Sequence, residues 1–184
     1  MKADAITIPA SKLTLPIAGR DHIQGPIDAP MTLVEYGDYE CPYCGEAHYV
    51  VKAVQKRLGD RLCFAFRNFP LVNSHPHAEH AAEAAEAAHA QGKFWDMHDA
   101  LFENQQALDD EDLAQYAAAL DLDADRLIRE IGAGMYIERI REDFQAGTRA
   151  KIDGTPAFFI NGVLYEGEPE VDSFLEVLSG SRGK

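Results

Sequence analysis

Cys41 and Cys44 are separated by Pro42 and Tyr43. A helix starting at Pro42, where the missing N–H of proline is no loss, puts the two sulfurs one turn apart. A cysteine at a helix N-terminus faces unpaired N–H groups and the positive end of the dipole. Both favour the thiolate, so the Cys41 pKa falls below the free value of about 8.5. The chemistry this allows is thiol–disulfide exchange, with Cys41 attacking a partner sulfur and Cys44 closing a small ring to release it. Glu35 lies six residues before Cys41. On a central strand it is a buried carboxylate with a raised pKa, able to pass protons near neutrality; on an edge it is a solvated glutamate. Pro156 follows Thr155. It is an ordinary trans proline at a strand start, or a cis proline that leaves backbone groups free to pair with an extended client.

The surrounding pattern supplies elements to hold these groups. Gly25 to Pro30 has turn chemistry, and Met31 to Tyr36 is a short β-favouring run ended by Gly37. Ala47, Val50, Val51, Val54 and Leu58 recur at spacings of three and four, an amphipathic helix closed by Gly59. Leu62 to Phe66 reads as a buried strand. The first third is therefore strand, helix, strand, with the cysteines at the strand-to-helix handover. Residues 75–150 read as four or five helices, opening with an alanine-dense one from His75 to Gln91. Phe94, Trp95 and Phe102, at helical spacing, are expected in the core. Asp109 to Asp112 place carboxylates at a helix start. Ala157 to Ile160, the Asn161-Gly162 turn and Val163 to Tyr165 form a hairpin, and Glu170 to Leu178 a closing helix.

Taken together, these blocks resemble the DsbA-like family of thiol–disulfide oxidoreductases, closest to its BdbD-like branch. The resemblance rests on Cys-Pro-Tyr-Cys after a Glu-bearing strand and on Thr155-Pro156 before Ala157-Phe158-Phe159-Ile160-Asn161-Gly162. It extends to Asn68-Phe69-Pro70-Leu71, to the alanine-rich helix after His75-Pro76, and to Gly92-Lys93-Phe94-Trp95-Asp96-Met97-His98, covering roughly residues 22–178. It implies an α/β, thioredoxin-like fold carrying an inserted all-helical domain. The expected division is a weakly ordered lead-in over 1–22, a thioredoxin-like domain from 23–74 and 151–184, and the helical insertion over 75–150. It implies Cys41 as nucleophile, Cys44 as resolving cysteine, Glu35 as the buried carboxylate and Pro156 as cis. Pro42, Tyr43, Thr155 and Pro156 are the expected substrate contacts, and some inserted helices are expected to rim an apolar groove beside Cys41. The partners implied are protein thiol or disulfide clients and a redox partner, with no organic cofactor or metal.

Two positions depart from the strongly oxidising members. Pro42-Tyr43 replaces Pro-His, and Thr155 stands where valine is frequent. Both argue for a less oxidising pair and leave open whether the protein oxidises, reduces or isomerises.

Other chemistries fit less well. Cys41, Cys44 and His48 have C-x2-C-x3-H spacing, but a structural zinc site needs four ligands. His75, His77 and His80 read as helix-start and surface histidines. Gly45 stands where a haem attachment motif needs histidine. Asp121, Asp123 and Asp125 begin like a calcium loop, but its sixth and twelfth places hold Arg126 and Gly132. Cys63, in an apolar run, reads as a structural thiol. A non-catalytic binding or chaperone module is the main alternative, and glutathione-dependent isomerisation of small molecules a more distant one.

The 184 residues suit one domain or one domain with an insertion. Lys plus Arg number 17 against 31 Asp plus Glu, a formal charge of −14. That surface repels phosphate and argues against nucleic acid and anionic membranes. No apolar run reaches bilayer length, so no membrane insertion is expected. Asp4 and Lys12 interrupt the start, which lacks a signal-peptide core. The expectation is a cytoplasmic chain, or an extracytoplasmic one if an export signal has been removed.

Overall fold

The computed structural model describes residues 11–180. One sheet is built from β1 (His22–Gln24), β2 (Met31–Gly37), β3 (Leu62–Asn68), β4 (Ala157–Ile160) and β5 (Val163–Leu164), in the order β1-β3-β2-β4-β5. β2 is central, parallel to β3 and antiparallel to β4. Parallel neighbours need a crossover, and α1 (Pro42–Leu58) supplies it. This is the thioredoxin-like α/β arrangement expected from the motifs.

Alternation along β2 sorts its side chains between two packed faces. Leu33 joins Phe64, Phe66, Phe158 and Ile160 in the larger core, against Val51 and Val54 of α1. Val34 and Tyr36 join Ala65, Phe69 and Phe159 on the opposite face. Every residue of β3 is buried, which is why it reads as a continuous apolar run. Asn161 and Gly162 have φ of 49° and 79°, the left-handed pair that a tight two-residue hairpin requires between Ile160 and Val163.

Five helices lie between β3 and β4: α2 (Ala78–His89), α3 (Phe94–Glu103), α4 (Asp110–Ala119), α5 (Ala124–Gly132) and α6 (Ile137–Arg149). All the alanines of α2 are buried. Their small side chains let neighbouring helices approach closely, so the alanine bias marks a central helix. Phe94, Met97, Leu101 and Phe102 of α3 share the larger core with α1 and the sheet, and Trp95 packs against it. Asp109 caps α4 in a reciprocal capping box with Asp112. The closing helix, α7 (Val171–Leu178), buries Phe174 and Leu178.

The lead-in differs from expectation. Residues 1–10 lie outside the described residues, but residues 11–24 form an ordered strap across one sheet face. It begins at one edge, where Leu13 N–H donates to Gly162 O and Leu164 N–H to Ser11 O, each at 2.9 Å. Leu13, Ile17 and Ile23 pack on the face, and the strap ends as β1, antiparallel to β3. Arg67, wholly buried, pins it. The guanidinium pairs with Asp21 at 2.8 and 3.0 Å and donates to the carbonyls of Leu15 and Pro16 and to Tyr36 Oη. A buried guanidinium is tolerated when its donors are satisfied in this way.

Candidate active site

β2 ends at Gly37, and the chain turns through Asp38, Tyr39 and Glu40 to put Cys41 at the N-cap of α1. Cys41 has extended backbone angles (φ −72°, ψ 120°), and Pro42 opens the helix. The main-chain N–H groups of Cys44 and Gly45 both donate to Cys41 O, at 3.0 and 3.2 Å. Gln105, from the turn after α3, closes over this corner: its Nε2 donates to Tyr39 O and Cys41 O, each at 2.8 Å. Gly45 makes room for it, because a Cβ there would lie 2.1 Å from Gln105 Oε1.

Antiparallel pairing places Ala157 opposite Tyr36, so the residues entering β4 meet the exit of β2. The Thr155-Pro156 bond is cis. The Cys41 thiol donates to Thr155 O at 3.4 Å. Thr155 Oγ1 is buried and has no hydrogen-bond partner among the described residues.

The two sulfurs are driven apart in acidity. The Cys41 pKa is lowered to about 5, chiefly because the Cys44 thiol donates a hydrogen bond to its sulfur. Burial opposes this; Thr155 and the main-chain N–H groups of Cys44 and Tyr43 add to it. The neighbouring thiol is the largest single cause, and the N–H groups of the helix N-terminus invoked from sequence come after it. Cys44 is wholly buried, and burial pushes its pKa well above the usual thiol value, helped by its hydrogen bond to Cys41 and the charge of Glu35. Cys63 is buried on β3, and burial raises its pKa too, as befits an inert thiol.

Glu35 is 1% exposed. Its register neighbours are Phe66 on β3 and Phe158 on β4, and its Oε1 has no partner among the described residues. Burial first, and then the negative charge of Cys41, raise its pKa to about 8. Of the two readings open at the sequence level, the buried carboxylate is the one the sheet order produces.

Two hollows flank the Cys41-Pro42-Tyr43 turn. One, of about 460 Å³, is lined by Tyr43, Val50, Thr155, Pro156 and Glu168. Tyr43 is 69% exposed. The other, of about 330 Å³, lies towards the helical segment and is lined by Pro42, His75, Gln105, Asp109 and Asp112. The expected apolar rim from the helices is thus polar and acidic, and the hollow on the cis-proline side mixes Tyr43, Val50 and Pro156 with Glu46, Glu168 and Glu170.

The candidate metal ligands fall elsewhere. His48 gathers with His98 and Asp99, their donor atoms within 4.8 Å of one another, and neither cysteine joins them. Lys52 already pairs with Asp99. His77 and His80 are half-exposed on Glu40 and Asp110, as surface histidines should be. His75 differs: its side chain is 20% exposed and its Nδ1 sits 2.8 Å from buried Asp38. Asp38, His75 and Gln105 are site residues that sequence reasoning missed. No local signal marks Gln105; the only hint for Asp38 was its place between strand and cysteine.

Thr155→Val tests the geometry around Cys41. It keeps the shape and removes the buried hydroxyl of the residue whose side chain adds to the lowering of the Cys41 pKa. The Cys41 pKa should rise by about one unit, the scale of one hydrogen bond to a charged group. Thiolate absorbance against pH measures it, and an unchanged titration would remove Thr155 from the list of stabilisers.

The family model described as Thioredoxin matches residues 18–179. A curated relative, Na(+)/H(+) antiporter NhaA 1 from Mycobacterium sp. (strain KMS), is 41% identical over 165 residues, covering 89% of this chain and 27% of the relative. The chain spans about a quarter of the length of the curated relatives it matches. Among solved structures, oxidised BdbD from Bacillus subtilis superimposes with a TM-score of 0.83 at 24% identity, over 93% of this chain and 97% of that one. A thioredoxin-like oxidoreductase from Silicibacter pomeroyi DSS-3 gives 0.79 at 25% identity, over 90% and 94%. The chain belongs to the thioredoxin family, whose model spans nearly all of the described residues, and it shares the fold of oxidised BdbD.

Proposed function

We infer that this protein is a thiol–disulfide oxidoreductase acting on protein clients. The observation that carries the reading is the split pair: Cys41 held as thiolate against Cys44 held as thiol, a hydrogen bond apart. A nucleophile ionised near neutrality and a resolving thiol that stays protonated until needed are what exchange requires.

In the reducing direction, Cys41 thiolate attacks a client disulfide and one client sulfur leaves, taking up a proton. Glu35 then accepts the Cys44 proton. The Cys44 sulfur attacks Cys41 in the mixed disulfide, forming Cys41–Cys44 and releasing the second client thiol. The client has gained two electrons from the pair and two protons, one from Cys44 by way of Glu35 and one from solvent. Run backwards, the same steps oxidise a client dithiol. Thr155 and cis Pro156 border the hollow where an extended client segment docks by its backbone, exposed Tyr43 forms its opposite lip, and Pro42 borders the neighbouring hollow. No step needs an organic cofactor or metal.

The compartment sets the resting state: dithiol in reducing surroundings, disulfide in oxidising ones. The curated relatives are named as antiporters, but among the described residues no helix is long and apolar enough to cross a membrane.

The test is alkylation of the reduced protein against pH, together with turnover of a disulfide-bonded and a dithiol protein substrate. Half-maximal alkylation near pH 5 with turnover of either substrate is expected. Neither thiol ionising below about pH 8, with no turnover, would overturn it.

A further inference from the structure

Pro42-Tyr43 places no cation between the cysteines, but a histidine, His75, lines the hollow beside Pro42. Asp38, directly after β2, has a fully buried side chain, and its main-chain N–H donates to Cys44 Sγ at 3.5 Å. Its carboxylate accepts from Glu40 N–H, from Leu71 N–H and from His75 Nδ1, each at 2.8 Å. His75 lies just before α2, mostly buried, in the wall of the hollow that Pro42 and Gln105 also line. A carboxylate on one ring nitrogen fixes the orientation of the imidazole and favours its protonated form. The other charged groups near it are Glu40, which pairs with His77, the Cys41 sulfur, and Asp109 and Asp112 across the hollow. Burial works against a charge on His75, but the hydrogen bond and charge of Asp38, followed by the charges of Cys41 and Glu40, outweigh it and raise its pKa.

We propose that His75, clamped by buried Asp38, is a positioning residue whose imidazolium stabilises the Cys41 thiolate from the Pro42 side and makes the redox pair more oxidising. The proposal rests on the exchange reading above and goes further, by assigning the cation that the dipeptide lacks. Coupling between two titrating groups is mutual, so what the thiolate gives His75, His75 returns to the thiolate. Only the reduced state carries that thiolate. Stabilising it favours the dithiol over the disulfide and raises the potential. The effect is present while His75 is protonated and fades as pH rises through its raised pKa. Cys41 titrates near 5 and His75 above its ordinary value, so His75 is charged while the thiol titrates; its contribution comes after those of Cys44, Thr155 and the main-chain N–H groups.

Three readouts test this. In His75→Gln, the Cys41 pKa from thiolate absorbance should rise by about half a unit, and the equilibrium with glutathione should move about threefold towards the disulfide. His75→Lys, which restores a cation, should return both towards wild type. In the wild-type protein, the His75 pKa followed by NMR should be higher in the dithiol than in the disulfide form. That measurement needs no variant, so a His75→Gln protein that fails to fold does not shelter the idea. Equal His75 pKa values in the two redox states, or a folded His75→Gln with the wild-type Cys41 titration and glutathione equilibrium, would overturn it while exchange by the wild type stands. A wild type that performs no exchange would instead remove the functional reading itself, and this proposal with it.

Discussion

Replacing Cys44 with serine is expected to convert the protein from a catalyst into a trap. Cys41 still sits at the N-cap of α1 beside Thr155, so it still attacks a client disulfide. The serine hydroxyl is no leaving-group exchanger for sulfur, and the mixed disulfide persists. Multiple turnover should fall by at least about 10³, the scale at which groups acting as one unit fail together. The covalent adduct should appear by intact mass on non-reducing preparation and vanish with excess dithiothreitol. Cys41→Ser should lose turnover to the same degree and form no adduct, because Cys44 is wholly buried. This contrast separates catalysis from the binding-module alternative, in which both variants hold clients equally and neither holds them covalently. Cys44→Ser has a second effect: it removes the thiol that contributes most to the low Cys41 pKa. The adduct should therefore form more slowly near pH 6 than near pH 8, unlike the first step in wild type.

What could be read from the sequence followed the range of the interactions. The helix at Pro42, the hairpin at Asn161-Gly162 and the cap at Asp109 are local, each set by residues within a few positions, and each stands where the pattern put it. The lead-in over residues 1–22 has no period of its own and so reads as weakly ordered, although residues 11–22 belong to the strap. Its order comes from Arg67 and from the β5 edge, both remote in sequence. Glu35 illustrates the same limit at the site. Its residue type and offset suggested an acid near the cysteines, but burial depends on β2 lying between β3 and β4, which no local pattern states. Gln105 bonds to Cys41 across 64 positions and carries no motif. Spacing groups His75 with His77 and His80, whereas the structure sends it to Asp38 and the other two to surface carboxylates. The acidity of Cys41 was anticipated in direction from the helix end, but its main source is one side chain a turn away.

Glu35→Gln should make the folded protein more stable and the enzyme slower, with both effects tied to pH. In the unfolded chain Glu35 titrates near its ordinary 4.5; in the fold it holds its proton to about 8. Between those values the native state binds one more proton than the unfolded state, so stability falls as pH rises through the window and levels off above it. At about 1.4 kcal/mol per unit, the full loss is on the order of 3–5 kcal/mol. Glutamine cannot ionise, so its advantage over wild type should be absent near pH 4, grow through the window and be largest above pH 8. Cys41 contributes the opposite slope in the reduced protein, because its folded pKa is lowered. Denaturant titrations are therefore to be compared with both proteins in the disulfide form, where burial, the larger cause, acts alone on Glu35, so the window closes below 8 and the loss is smaller than in the dithiol. Parallel stability curves for the two proteins would show that this carboxyl does not titrate in the window. The kinetic cost arises because the Cys44 proton loses its acceptor. Turnover should drop by about 10²-fold, the low end for general base catalysis, while formation of the mixed disulfide by Cys41 is preserved. A gain in stability together with a loss confined to the resolving step is the signature of a buried acid kept for proton transfer at a cost to the fold.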